Sequence, residues 1–169
     1  TDDVTLYLIA QEGAEDATIT ELLGRYASLS PKIKVKTIDP VMYPTFIAQY
    51  TSASVNANSV IAESAKRSRV VDNSEIYLTD YSFDYATYNY TTTTSFDGEG
   101  KLTSAINYVA GDDIPAIYTL SGHGEAELSG TMKNAVEREN FAVRSLTLLT
   151  EDEVPEDAGC LIVLSPTQD

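Results

Sequence analysis

The sequence predicts an α/β chain built as two layered units, and three observations carry that prediction. Short β-branched and aromatic runs bounded by turn residues recur along its length. Between them lie stretches whose apolar residues follow helical spacing. Residues 81–94 interrupt both patterns with tyrosines and threonines, which sets a boundary between two halves near residue 95.

In the first half, Val4-Thr5-Leu6-Tyr7-Leu8-Ile9-Ala10 reads as a buried strand. Thr18-Ile19-Thr20-Glu21 fits a capping box, in which hydroxyl and carboxylate satisfy free amides at a helix start. Ile19, Leu22, Leu23 and Tyr26 then form one apolar stripe, and Pro31 closes the helix. Residues 32–38 alternate strictly, as a strand with one wet lysine face, until Asp39-Pro40 breaks them. Residues 44–50 read as a short helix with Phe46, Ile47 and Tyr50 inward. Residues 58–63 and 69–71 read as strands joined by the basic turn Ala65-Lys66-Arg67-Ser68, and residues 75–78 as a further short strand. The order β-α-β-α-β-β is that of a thioredoxin-like unit. No Cys-x-x-Cys follows its first strand, and Ala57-Asn58-Ser59 stands where a proline usually precedes the third. Without a thiolate to attack a disulfide, such a unit is scaffold only.

In the second half, residues 98–110 resume helical spacing with Leu102, Ala105, Ile106 and Val109 on one face. Asp97 is a candidate N-cap and Gly111 a stop. Residues 114–120 read as a strand, Ser121-Gly122-His123-Gly124-Glu125 as a glycine-rich turn, and Ser129 as the cap of a helix with Met132, Ala135 and Val136 inward. Residues 141–148 read as a strand and residues 150–158 as an acidic loop. Cys160-Leu161-Ile162-Val163-Leu164 is uniform enough in apolar character to be a central parallel strand. Strand, glycine turn, helix, strand is how doubly wound sheets begin, and a complete one needs more elements. The expected division is residues 1–95, a thioredoxin-like βαβαββ unit ending in a Tyr-rich crossover segment, and residues 96–169, a truncated Rossmann/flavodoxin-like parallel α/β unit. Both chain ends read as boundaries within a larger protein, with membrane anchors outside this segment.

The 169 residues suit one large domain or two small ones. The net charge is -15, from 26 acidic and 11 basic residues. Such a surface repels phosphate backbones and anionic headgroups, so no nucleic acid and no direct lipid binding are expected of this segment. Cys160 is the sole cysteine, so no internal disulfide forms, and its apolar neighbours read as those of a buried structural thiol.

His123, the single histidine, falls in a turn expected at the C-terminal end of a parallel strand, where open α/β sheets bind ligands. Gly122 and Gly124 allow close backbone approach. Ser121, His123 and Glu125 can hold a ligand or catalyse; the other reading is a structural turn, in which His123 satisfies loop carbonyls. Histidine rather than serine at the centre does not match a nucleophile elbow. One histidine and one strand cysteine cannot build a zinc site. The runs Glu151-Asp152-Glu153 and Glu156-Asp157 lack a calcium-loop pattern and read as a solvated loop. The turn has neither the Gly-Lys-Ser/Thr ending of a phosphate loop nor the third glycine of a dinucleotide site, so no cofactor is expected. Residues 81–90 also have two readings. Tyr85, Tyr88 and their neighbours form a surface for sugars or a partner protein, or they form a strap covering the core.

Leu102-Thr103-Ser104-Ala105-Ile106-Asn107-Tyr108-Val109, then Pro115-Ala116-Ile117-Tyr118-Thr119-Leu120-Ser121-Gly122-His123-Gly124-Glu125, resembles the GldG-like auxiliary family of ABC transporters. Leu146-Thr147-Leu148-Leu149-Thr150-Glu151, Val154-Pro155-Glu156-Asp157-Ala158 and Leu161-Ile162-Val163-Leu164-Ser165-Pro166 continue the likeness. It is specific over residues 96–169 and looser over residues 4–80. The resemblance implies an auxiliary protein of an ABC transport system, some of whose relatives serve gliding motility. Its partners would be the permease and ATPase subunits and the membrane-anchored remainder of its own chain, on the extracytoplasmic face of the membrane. It carries over no catalytic residue. The expected function is non-catalytic protein interaction or ligand sensing. Two alternatives stay open, a hydrolase using His123 and carbohydrate binding through the tyrosine segment.

Overall fold

The computed structural model describes residues 3–85, 88–147, 150 and 153–168. The fold is mixed α/β and includes a three-stranded parallel sheet. The chain divides into two compact units, residues 1–111 and residues 112–169.

The first unit is organised by β1 (Val4–Ile9). This strand pairs parallel with β2 (Ile33–Ile38) and antiparallel with β3 (Ser59–Glu63), which pairs antiparallel with β4 (Ser68–Val71). The sheet order is β2-β1-β3-β4. Alternation sends Val4, Leu6 and Leu8 to one face, beside Val60, Ala62 and Val71 of the neighbouring strands. Two helices close that face. α1 (Ala17–Leu29) contributes Ile19 and Leu23, and α3 (Gly98–Ala110) contributes Leu102, Ala105 and Val109. A fully buried aliphatic side chain is worth about 1.5–3 kcal/mol, so this cluster dominates the stability of the unit. On the opposite face Tyr7 meets Phe46 and Tyr50, with ring centroids 5.0 and 6.3 Å away, beside a 3-10 turn at Ile47–Gln49.

Long-range bonds correct several sequence expectations. The cap of α1 is Asp16 and not the Thr18 box. Its carboxylate accepts the Ile19 amide at 2.9 Å and the Tyr77 hydroxyl at 3.0 Å, and its amide donates to Asn58 Oδ1 at 2.8 Å. These partners fix a start two residues earlier than local pattern suggests. β2 is an edge strand, so Val35 is exposed although the alternation predicts one dry face. Residues 75–78 do not begin as a strand. α2 (Asn73–Ile76) precedes β5 (Tyr77–Asp84), because burial of Ile76 and the Asp72 cap favour one helical turn. Asp72 accepts from the Ser74 hydroxyl (2.6 Å) and amide (3.0 Å), from the Asn56 amide (2.9 Å) and side chain (2.8 Å), and from the Ser59 hydroxyl (3.2 Å). Partial burial works against its charge, but these donors outweigh it and hold the carboxyl far below the usual range.

The tyrosine segment is not a strap. β5 pairs antiparallel with β6 (Asn89–Phe96), from Tyr77 opposite Phe96 to Asp84 opposite Asn89, and every residue of β6 is exposed. The division between the units falls after Gly111, not after residue 95. α3 belongs to the first unit because its apolar face enters that core. The turn between β3 and β4 also satisfies its last carbonyls. The Ser64 hydroxyl donates to Val109 O at 2.5 Å and Arg67 to Gly111 O at 2.6 Å, placing a cation at the negative end of the helix.

The second unit contains β7 (Ala116–Leu120), α4 (Gly130–Arg138), β8 (Ala142–Leu146) and β9 (Ala158–Ile162). Its strands are parallel in the order β8-β7-β9. The central strand is therefore β7, not the Cys160 run, and Cys160 is exposed on an edge. The buried cluster is small, Ala116, Tyr118 and Leu146 with Leu120, Ala142 and Ala158 against it. Met132 and Ala135 are exposed and Val136 is half-buried, contrary to the inward face predicted for this helix. Parallel strands are buried on both sides only when helices cover both faces, and α4 is the one helix among the described residues of this unit. Leu148, Leu149, Glu151 and Asp152, at the predicted strand end and in the acidic loop, lie outside the described residues.

Two measurements test this reading. Gly24 lies inside α1 with no atom within 4 Å of an added Cβ, so Gly24→Ala is expected to stabilise the chain by about 0.5–1 kcal/mol in urea unfolding. Asp72 is held below its unfolded value of about 3.9, so its stabilisation is present above that pH and fades as pH falls. Asp72→Asn is expected to lower the urea midpoint at neutral pH and to flatten its loss below about pH 4. An unchanged pH dependence would contradict the assignment.

Candidate functional site

The largest exposed aromatic feature is the β5–β6 hairpin. Its period of two places Tyr77, Thr79, Tyr81 and Phe83 with Tyr90, Thr92, Thr94 and Phe96 on one face. The other face carries Leu78, Asp80, Ser82 and Asp84 with Asn89, Thr91, Thr93 and Ser95. Toward the tip, Phe83 gathers three tyrosine rings, with centroids 5.0 Å away for Tyr85, 6.3 Å for Tyr88 and 5.0 Å for Tyr90. Tyr81, Tyr85, Tyr88 and Tyr90 are nevertheless 74%, 82%, 79% and 74% exposed. Edge-to-face packing orders such rings while leaving their outer surfaces wet.

The hairpin is rooted in the first unit. Its base pair Tyr77 and Phe96 packs ring against ring at 5.1 Å, the Tyr77 hydroxyl donates to Asp16, and the Asp97 amide donates to Ile76 O at 2.8 Å. Burial, aided by Asp16, pushes the Tyr77 phenol above its ordinary value, so it stays a donor. Sequence reasoning selected Tyr85 and Tyr88. It did not single out Phe83 as the centre or Tyr81 and Tyr90 as the walls, although the spacing of Tyr81, Phe83 and Tyr85 is the signal of one strand face.

The glycine turn lies at the C-terminal end of β7, as expected. Its members do not converge on one reacting centre. The Ser121 amide donates to Leu146 O at 2.9 Å, and its hydroxyl bonds Thr147 Oγ1 at 2.7 Å and Ser145 Oγ at 3.1 Å, committing Ser121 to β8 and the residue after it. Gly122 and Gly124 have φ of 122° and 71°, left-handed backbone that favours glycine. The Glu125 side chain is buried; its Oε2 accepts the His123 amide at 2.7 Å, and its Oε1, 3.4 Å from His123 Nδ1, has no hydrogen-bond partner among the described residues. Burial opposes the charge of Glu125, but backbone amides and the imidazole outweigh it and hold the carboxyl below its usual range. The His123 side chain thus faces a carboxylate and not loop carbonyls. The carbonyl of His123 accepts the amides of Thr167 and Gln168 at 3.0 Å each, and that of Gly124 accepts the Thr167 hydroxyl at 3.3 Å. The turn therefore stitches residues 167–168 to the end of the central strand.

A second polar network was missed by sequence reasoning, which read Asp157 as part of a solvated loop. The Tyr118 hydroxyl donates to Asp157 at 2.9 Å and accepts from Arg144 at 3.0 Å, while Arg144 pairs with Asp157. The Tyr118 hydroxyl, then Arg144, hold the Asp157 carboxyl below its ordinary range. The network links β7, β8 and the residue just before β9. Elsewhere a groove of about 570 Å³ opens beside the hairpin root, lined by Leu22, Arg25, Phe96, Asp97 and Glu99, with Arg25 held by Glu21 at 2.5 Å. Among the described residues no cluster of three His, Cys, Asp or Glu side chains could hold a metal ion.

Comparison with family models, with curated proteins and with solved structures finds no match for this chain.

The turn generates one prediction. An added Cβ at Gly124 would collide with Thr167 Oγ1 and force a side chain into left-handed backbone. Gly124→Ala is expected to destabilise the second unit by about 1–3 kcal/mol in urea unfolding. Gly130→Ala, which meets nothing within 4 Å, is expected to stay within about 0.5 kcal/mol of the parent.

Proposed function

We propose that this chain is an extracytoplasmic, non-catalytic module of an ABC transport system that docks on the permease of its permease–ATPase complex through the aromatic hairpin. The observation that carries the reading is the set of three exposed tyrosines, Tyr85, Tyr88 and Tyr90, gathered around Phe83 on a hairpin anchored to the first core. Tyrosine gives large contact area at small entropic cost and is enriched at binding surfaces. The acidic surface agrees with a module held off anionic headgroups, with anchors elsewhere in its own polypeptide. No helix among the described residues is long and apolar enough to cross a membrane. Ser121 bonds β8 and its neighbour, and that favours a structural turn over a hydrolytic centre built on His123.

Scaffold topology supports the finer fold reading. The order β2-β1-β3-β4 with β3 antiparallel, and α1 and α3 on one sheet face, agrees with a thioredoxin-like first unit lacking the redox cysteines. Three parallel strands with a glycine turn after the central one agree with the start of a Rossmann/flavodoxin-like unit. A carbohydrate reading has one observation behind it, the threonine hydroxyls at 79, 92 and 94 on the same face as Tyr81.

Co-purification of the permease with the chain from membranes tests the proposal. The double substitution Tyr85→Ala, Tyr88→Ala is expected to weaken recovery about tenfold or more. His123→Ala is expected to leave it unchanged. Parental recovery with the double variant would overturn the docking face, and tyrosine-dependent glycan binding without permease binding would favour the carbohydrate reading.

A further inference from the structure

We propose that the outer edge of β6 pairs with β6 of a second copy of this chain, forming a four-stranded antiparallel sheet about a two-fold axis. The inference uses the backbone edge of the hairpin and stands apart from the docking role of its tyrosine face.

Among the described residues β6 pairs with β5 alone, so one row of its amides and carbonyls has no strand beside it. A two-stranded ribbon is marginal in water, and a third or fourth strand is the usual remedy. Free edges are normally blunted by lysine, proline or a bulge. Asn89-Tyr90-Thr91-Thr92-Thr93-Thr94-Ser95-Phe96 contains no charge, proline or glycine, and its pairing with β5 runs through eight residue pairs without a register shift. The edge is neutral and carries no bulge.

Charge selects the edge that two copies can share. The chain carries -15, so two copies repel over most of their surfaces. β5 bears Asp80 and Asp84, and two β5 edges would bring carboxylates together. β6 is the strand of the hairpin where copies meet without that repulsion, and a cationic partner would be drawn to β5 instead. Symmetry agrees. A two-fold axis perpendicular to the sheet keeps each face on one side, so residues of like parity lie opposite. Through Thr92, the axis sets Thr91 opposite Thr93 of the second copy. Through Thr93, it sets Thr92 opposite Thr94 and Tyr90 opposite Phe96. Either register gives threonine–threonine pairs, which stabilise antiparallel strands, and joins the two tyrosine faces into one surface.

Sedimentation equilibrium of the whole chain from micromolar to millimolar concentration tests this. The expected result is a monomer–dimer equilibrium that Thr92→Lys, Thr93→Lys weakens about tenfold or more by setting like charges together, while Ser82→Lys on β5 leaves it unchanged. A parent that stays monomeric, a dimer that survives the β6 changes, or equal loss with Ser82→Lys would overturn the proposal. Amide exchange on the parent decides the matter if the double variant loses its hairpin. Protection of β6 amides should rise with concentration, and constant protection would overturn the pairing.

Discussion

β1 needs cover on both faces, and the rest of the first unit follows from meeting that need. Val4, Leu6 and Leu8 point one way and Tyr7 and Ile9 the other, and all but Tyr7 are solvent-free. α1 and α3 supply the cover on one side, and the Tyr7, Phe46 and Tyr50 rings on the other. The position of α1 is pinned by Asp16, which accepts both its own helix amide and the hydroxyl of Tyr77. The root of the hairpin is thus tied to the same core that orders β1. An extended aromatic arm with little cover of its own is held at its base by this link.

The second unit solves its packing with less apolar area. Ala116, Tyr118 and Leu146 form its buried centre, and polar links do more of the work of joining strands. Tyr118, Arg144 and Asp157 link the strands, and the Ser121–Glu125 turn fastens residues 167–168 through backbone bonds. The Glu125 carboxylate accepts the His123 amide on one oxygen, while its other oxygen is buried without a hydrogen-bond partner among the described residues, 3.4 Å from the imidazole.

Strong periodicity was legible in advance. β1, the stripe of α1 and the full extent of α3 follow from spacing alone, since each has a face that must be dry. For the hairpin, the sequence predicts an extended segment but not its pairing, because neither face of β6 is buried and no apolar alternation marks it. Cys160 was misplaced because an apolar run looks the same at an edge as at the centre; strand order decides, and composition does not encode it. α3 was assigned to the wrong unit for a related reason. Spacing defines its apolar stripe but not which sheet receives it. At the glycine turn, the adjacency of His123 and Glu125 was visible, whereas the commitment of Ser121 to Ser145 and Thr147 depends on the pairing of β7 with β8.

The proposed docking role rests on the aromatic arm rooted in the first core. A photo-reactive phenylalanine analogue in place of Tyr88, in cells carrying the complete transport system, probes that role most directly. The expected result is a covalent adduct with the permease subunit, absent when the same label replaces Lys133 of α4. A hairpin label that captures no transporter subunit, while a label at His123 does, would contradict it.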